Sequence, residues 1–394
     1  MISFRRGSLI VAVCILILDC RLAAPAAETP FIIPSIASLT GYGSFLGKAQ
    51  EDTLRRFETA VNRQGGINGR PIHFEIYDDQ SNPQVAVQAI NAIITTKASV
   101  VVGPSLTNQC LAVLPLVQGK LVQYCISPGV RAPKDSFTFS ASVGTQDTIH
   151  ALARFFHARG WNRIATLTTT DATGQQADQA IGEALAAPEN TGMQLVAQEH
   201  FAPTDVTVAA QIAKIKAAKP DALIAWAIGL PFGTVLRGLT DAGYDLPVAA
   251  SNSAMTYEQM KQWGPYLPRR LYFPGVPFLA GMAQNAQAKA ALQLFYSVTK
   301  AAGIKPDFQT GLAWDPALIV VSALRRLGTD ATAEQIRDYI EKLRRFVGIA
   351  GTYDFTDGSQ RGLSIKNVVV MRWDSTKNDW VAVSKLGGAP SSRS

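Results

Sequence analysis

The sequence predicts an α/β protein of two similar lobes, each a mostly parallel sheet with helices on both faces, joined by hinge strands. Three observations carry that prediction. Short apolar runs of strand character alternate with amphipathic helical patterns over most of the chain. The alternation restarts after a polar connection near residues 140–146. From Leu271 the order changes, with three helical patterns in succession before the chain turns β-like again. At 394 residues and 47% apolar, the chain is long enough to build two cored domains.

Taken in order, Phe31 to Leu39 reads as a strand closed by the turn Thr40-Gly41-Tyr42-Gly43. A helix follows from Gly47 to Arg63, with Leu54, Phe57 and Val61 on one face and Gly65-Gly66 as its stop. Ile72 to Tyr77 is the next strand, with Asp78-Asp79 at its carboxyl end, and Pro83 opens a helix running to Thr96. Val100 to Val102 and Leu121 to Ile126 read as short buried strands flanking a helix from Asn108 to Gln118. The second series begins with a helix from Asp147 to Arg159. It continues through strand 164–168, helix 175–185, strand 195–198, helix 208–217, strand 222–227, helix 232–242 and strand 247–250. Leu271 to Phe273 is strand-like, the three helical patterns cover 285–302, 309–327 and 332–344, and strands 352–355 and 366–372 are separated by the turn Asp357-Gly358. The expected division is therefore 28–141 for the first lobe, 142–272 for the second, 273–346 for a return to the first and 347–394 for a return to the second. Several connections between lobes restrain them to opening and closing as a clamshell.

Residues 1–27 have the character of a secretory signal peptide: Arg5 and Arg6, the apolar run Leu9 to Leu18, then Ala23-Ala24-Pro25-Ala26-Ala27 with Ala24-Pro25-Ala26 as the cleavage site. A lipid anchor on Cys20 is disfavoured by Asp19 before it. Removing Arg5, Arg6, Arg21 and Asp19 lowers the formal charge from +7 by two. The remaining basic residues are scattered, with clusters only at Arg269-Arg270 and Lys342 to Arg345. No basic stripe interleaved with aromatics points to nucleic acid. Processing leaves Cys110 and Cys125, one early in a helix and one in the strand after it. They pair in an oxidising compartment if the geometry lets them. Histidines dispersed at 73, 150, 157 and 200 give no zinc site, and no cofactor is called for.

The segments Ser38-Leu39-Thr40-Gly41, Gly65-Gly66-Ile67-Asn68-Gly69-Arg70, Tyr77-Asp78-Asp79 and Val102-Gly103-Pro104 come in a specific order, continued by Ile126-Ser127-Pro128 and Leu236-Arg237-Gly238-Leu239. Together they resemble the type I periplasmic binding proteins of branched-chain amino acid ABC transporters over essentially the whole mature chain. The resemblance implies an exported, periplasmic solute-binding protein, with a small-molecule ligand and a membrane permease as partners and the protein a monomer. It implies ligand-binding loops at the carboxyl ends of the strands. Carried over position by position, these are Tyr42 to Leu46 (with Phe45), Ser105 to Asn108, and Gly129 to Arg131 in the first lobe. In the second they are Asp171 to Thr173, Trp226 to Ile228, and Asn252.

Thr107 matches a position where the family holds ligand carboxylate with a hydroxyl, and it also stands where a helix cap would. Three departures from the family's pattern bear on the ligand, one being that the aromatic of amino-acid binders near Trp226 to Ile228 is displaced or replaced. Arg131 replaces a small hydroxyl residue, and Asn252 replaces an acid that pairs with the ligand's ammonium. An arginine there suits a carboxylate bound through both its oxygens. The alternative is a surface arginine between Pro128 and Pro133. Asp171 remains able to supply an acid from another loop, so an amino acid stays open. These features lean towards a carboxylate without an α-amino group, with Tyr42, Phe45 and Trp226 as an apolar wall.

Enzyme chemistry has no constellation to rest on. Gly41, Gly43 and Gly47 follow a strand, but their spacing is one residue too long for a dinucleotide loop, and Asp78-Asp79 lie beyond the roughly 20 residues at which a ribose-binding acid is expected. There is no G-x-S-x-G elbow or H-E-x-x-H motif. The rival within the same fold is an exported sensor that reports ligand to a receptor.

Overall fold

The computed structural model describes residues 1–2 and 29–391. The signal-peptide expectation for residues 1–27, Cys14 and Cys20 included, falls almost wholly outside the described residues.

The first lobe is built from β1 (Phe31–Ala37), α1 (Ser44–Arg63), β2 (Ile72–Asp78), α2 (Pro83–Thr95), β3 (Val100–Val102), α3 (Thr107–Val117), β4 (Val122–Cys125) and β5 (Thr138–Ser140). The second contains α4 (Thr145–His157), β6 (Arg163–Thr169), α5 (Ala172–Ala186), β7 (Gln194–Phe201), α6 (Ala209–Ala217), β8 (Ala222–Trp226), α7 (Leu230–Asp241), β9 (Val248–Ala250), α8 (Tyr257–Gln262) and β10 (Leu271–Gly275). The chain then returns to the first lobe with α9 (Ala286–Ala301), α10 (Phe308–Leu312), α11 (Trp314–Leu327), α12 (Ala333–Glu341) and the hairpin β11 (Arg344–Val347) and β12 (Thr352–Asp354). It ends in the second lobe with β13 (Val369–Asp374) and β14 (Asp379–Leu386).

The two sheets share one topology. The first runs β2-β1-β3-β4-β5, parallel throughout, with Ile33 opposite Phe74 and Val101 opposite Gln123. The second runs β7-β6-β8-β9-β10 in parallel, then adds β13 and β14 antiparallel at the edge. In both, the strand order reverses beside the first strand of the series, between β1 and β3 and between β6 and β8. Such a switch point opens a crevice at the carboxyl ends of the strands. Strands covered on both faces are apolar without alternation, as in Val100-Val101-Val102 and Ala222 to Trp226, all of them buried.

In each series the helix that follows the first strand also comes unusually close to that strand's carboxyl end. A Cβ on Gly47 of α1 would lie 2.1 Å from the Ser38 carbonyl oxygen, and one on Gly174 of α5 would lie 1.7 Å from that of Thr169. Only glycine fits at either place, and both helix N-termini are thereby pressed against the crevice.

Helices α9, α10 and α11 pack on α1. The Trp314 ring meets Phe57 and Phe295 edge-to-face at 5.1 Å in each case, giving the first lobe a core drawn from both passages of the chain. Two of the expected boundaries fall inside strands. The 272/273 boundary divides β10, whose residues pair with β9 on one side and β13 on the other, so the whole strand belongs to the second sheet. The 346/347 boundary divides β11. That hairpin stays with the first lobe because the Asp315 carboxylate of α11 accepts hydrogen bonds from the amides of Ile349 and Ala350 and from the Tyr353 hydroxyl. Three crossovers join the lobes: residues 141–144, 276–285 and 355–368.

The helix expected over 309–327 is divided at Ala313 into α10 and α11. Pro316 has no N–H to donate back to Leu312, and the ladder breaks there. Strands β5, β11 and β14 and helix α8 were not legible as separate elements. Among the described residues no helix is long and apolar enough to cross a membrane, and no group of three or more His, Cys, Asp or Glu is placed to hold a metal ion. Cys110 and Cys125, whose pairing the sequence left open, are joined by a disulfide between α3 and β4.

Candidate functional site

The turn between β1 and α1 carries Tyr42 and is held from below by the two acids that end β2. Asp78 Oδ1 accepts from the amides of Leu39 (2.9 Å), Thr40 (3.2 Å) and Gln80 (2.8 Å), and its Oδ2 from the Thr40 hydroxyl (2.8 Å). Asp79 Oδ1 accepts from the Ser38 hydroxyl (2.7 Å) and the Ser81 amide (2.9 Å). These carboxylates fix a loop. Tyr42 therefore stands at the crevice with its hydroxyl pushed up to about 12, first by burial and then by the charges of Asp171 and Asp79, with Asn108 and Gln109 acting in the opposite direction as hydrogen-bonding neighbours.

Helix α3 begins beside it. The N-cap is Leu106, which has no side chain to cap with, so Thr107 is the first helical residue and not the cap. Its hydroxyl lies 2.7 Å from that of Ser127. The first backbone bond of the helix runs from the Cys110 amide to the Leu106 carbonyl. The amides of Thr107, Asn108 and Gln109 thus lie outside the helix's own ladder, at its positive end. Gly129 packs on this turn, where a Cβ would lie 2.5 Å from Thr107 Oγ1.

From the second lobe, Asp171 caps α5. Its Oδ1 accepts from the Gly174 amide (3.2 Å) and the Thr169 hydroxyl (2.7 Å). Asp171, Thr173, Ile228 and Pro231 face Tyr42 and Leu106 across a hollow of only about 10 Å³, room for roughly one water. The lobes touch beside it, where a Cβ on Gly229 would come 2.8 Å from the Phe45 ring. Gly229 also has φ of +70°, which a side chain would disfavour.

The structure therefore brings together Tyr42, Asp171, Thr173 and Ile228, with Phe45, Thr107, Asn108 and Gly129 around them. Five other expected residues stand apart. Leu46 is buried on the core face of α1. Trp226 is 2% exposed and lies in the second lobe's core with Phe155 and Tyr272, because the last residue of β8 points to the sheet face covered by α4 and α5. The Ser105 hydroxyl is spent on Gln50 (2.6 Å), the first step of a relay through Gln50 and Gln309 to the Ser253 carbonyl of the second lobe.

Arg131 departs most from expectation. Its side chain is 52% exposed, and its Nη2 is held by Gln146 Oε1 (2.7 Å) and by Glu183 of α5 (3.3 Å). It borders a separate hollow of about 290 Å³ near the first and third crossovers. Val130 takes the buried position of that loop, which leaves the next side chain facing outward. Asn252 is buried, and its amide nitrogen has no hydrogen-bond partner among the described residues.

This geometry, two doubly wound sheets opposing their switch points across a cleft, has a counterpart among known proteins. Residues 30–378 match the periplasmic binding protein family. The chain belongs to that family. Periplasmic binding proteins of this kind are solute-binding proteins, not enzymes. Among relatives, the Leu/Ile/Val-binding protein BraC3 of Rhizobium johnstonii is 25% identical over 205 residues, 50% of this chain and 54% of its own length. The chemotactic signal transduction system substrate-binding protein BasB of Halobacterium salinarum is 32% identical over 111 residues, 27% of this chain and 26% of its own. The matched region thus spans about half or less of these relatives. An extracellular ligand-binding receptor from Rhodopseudomonas palustris HaA2 shares the fold at a TM-score of 0.81 and 22% identity, over 90% of this periplasmic binding protein and all of that chain.

Proposed function

We propose that this protein is exported, captures a small organic carboxylate between its lobes and delivers it to the membrane permease of an ABC importer. The observation that carries the reading is the convergence of two helix N-termini on Tyr42, that of α3 from the first lobe and that of α5, capped by Asp171, from the second. The amides and hydroxyl at Thr107 and Asn108 take the ligand's carboxylate. Asp171, whose second oxygen is not used in capping, faces the rest of the ligand and suits an ammonium. With Arg131 drawn off to Glu183, the balance moves from a plain acid towards an α-amino acid. The name of the Rhizobium relative points the same way.

A thermal-shift screen that pairs each amino acid with its des-amino analogue tests this. Binding stabilises the fold by about 2.7 kcal/mol at a hundredfold excess over Kd. The amino acid of a pair should raise the melting temperature more. If plain acids win throughout, Asp171 is not the ligand's partner and Arg131 regains the anchoring role. Export rests on the Arg5-Arg6, Leu9 to Leu18 and Ala24-Pro25-Ala26 pattern, and amino-terminal sequencing that finds Met1 intact in a cytoplasmic protein overturns it. A sensing role is the second reading, favoured by the likeness to the chemotactic substrate-binding protein. Copurification with a signalling receptor instead of a permease would select it.

A further inference from the structure

Arg361 lies in the third crossover, buried to 8% exposure, and its guanidinium is partnered by backbone. Nη1 donates to the carbonyls of Ala141 (3.0 Å) and Ser142 (3.1 Å), both in or beside the first crossover. Nη2 donates to the carbonyls of Pro128 (3.1 Å) and Val130, in the loop that follows β4. Gly144 makes room for it, since a Cβ there would lie 3.1 Å from Arg361 Nε. The same crossover is tied to the second lobe by Asp147 of α4, whose Oδ1 accepts from the Ile365 amide at 2.9 Å. One planar side chain from the third crossover thus ties the 128–130 loop to residues 141–142, both more than 200 residues away from it in sequence, and that loop carries Gly129 against Thr107.

We propose that Arg361 is a positioning residue: it holds the 128–131 loop in fixed register with the first and third crossovers, so that rotation of the lobes and the shape of the α3 end of the site change together. The proposal rests, for its bearing on ligand, on the reading that this loop borders the bound molecule. Rotation about the crossovers must carry the Ala141 and Ser142 carbonyls with it, and a guanidinium bound to all four oxygens moves the loop by the same act. A lysine cannot do this, because a point charge on a flexible stem reaches one or two of the carbonyls and imposes no plane. The hollow of about 290 Å³ beside Arg361, bordered also by Arg131, Asp147 and Gln176, leaves space for that movement.

The test is amide hydrogen exchange on the intact protein carrying Arg361→Lys, with Gly144→Ala as a second variant that crowds the guanidinium while keeping its charge. We expect exchange at residues 129–132 and 141–145 to rise about tenfold or more in Arg361→Lys, and less in Gly144→Ala, while β1 and β6 exchange as in wild type. Unchanged exchange in the loop overturns the proposal. So does acceleration that is equal in the loop and in the strand cores, since a merely structural arginine would give that. Leucine and 4-methylpentanoate serve as probes in a second arm, which reads association and dissociation rates. Faster dissociation with association little altered supports coupling to the site. A loosened loop with rates unchanged leaves Arg361's hold on the loop intact and removes that loop from the ligand reading. The exchange arm needs no ligand, so the two readings fail separately.

Discussion

Arg131 and Asp171 show what a residue type promises and what its surroundings allow. A guanidinium in a binding loop suits a carboxylate, but this one is half exposed and already shared between Gln146 and Glu183. Exposed ion pairs contribute little, so Arg131→Ala should change ligand affinity by less than about 1 kcal/mol. Asp171→Asn should weaken an ammonium-bearing ligand by roughly 2–5 kcal/mol, the range for truncating one partner of an enclosed charge pair. Titration calorimetry with the best binder of the thermal-shift screen decides between them, and the reverse order of effects would restore Arg131 as the anchor. Tyr42, Thr107 and Asp171 were named from the family resemblance, on loops after strands that the alternation of apolar runs and helical patterns locates. Side-chain direction was not legible. Trp226 and Arg131 each sit in a predicted loop position, yet one points into the core and the other outward, and only packing sets that.

Asp315 is a second residue with a measurable signature. Its carboxyl is pushed up to about 6 by burial, against the pull of the Ala350 and Ile349 amides and the Tyr353 hydroxyl. The folded state thus holds this proton more tightly than the unfolded chain, where an aspartate titrates near 3.9. Stability is fully present below the unfolded value and is lost as pH rises towards the folded one. Relative to Asp315→Asn, wild type should lose about 3 kcal/mol between roughly pH 4 and pH 6. Urea denaturation of both proteins across that window checks it, and parallel pH profiles would rule it out.

At the scale of elements, the parallel core announced itself through apolar runs and well-placed breakers. Pro83 opens α2, as the sequence suggested, and Asn82 caps it through the Gln84 amide. What escaped was short or unpunctuated. β5 has three residues, too few for any period, and the β13–β14 turn is made by polar residues with Asn378 at φ of +49° and no Gly or Pro to mark it. The close approach of α1 and α5 to their strands was also hidden, since a glycine in a helix reads as a weakness until its neighbour is known. Gly174→Ala places a methyl where the Thr169 carbonyl stands, and should destabilise by about 1–3 kcal/mol and weaken ligand binding by shifting the α5 terminus. Gly182→Ala, in the same helix with nothing within 4 Å of its added Cβ, is the control. Denaturation midpoints should separate the two, and equal midpoints would show that α5 yields without cost.

For the whole molecule, three crossovers and two matched sheets favour rotation of one lobe against the other. The contact of Phe45 with Gly229 and a hollow of about 10 Å³ leave no room for an amino acid, so the proposed capture between the lobes requires them to part first. Small-angle scattering should show the radius of gyration of the free protein falling when a verified ligand is added. Identical profiles would argue for a rigid cleft. The interleaved path of the chain also governs how the protein is made. All five strands of the first sheet have left the ribosome by Ser140, yet Phe57 must wait for Phe295 and Trp314, which follow the entire β6–β10 series. The lobe begun first is thus the one whose burial is completed late. A nascent chain stopped at Gly275 holds every parallel strand of both sheets and still lacks the tryptophan that closes the earlier core.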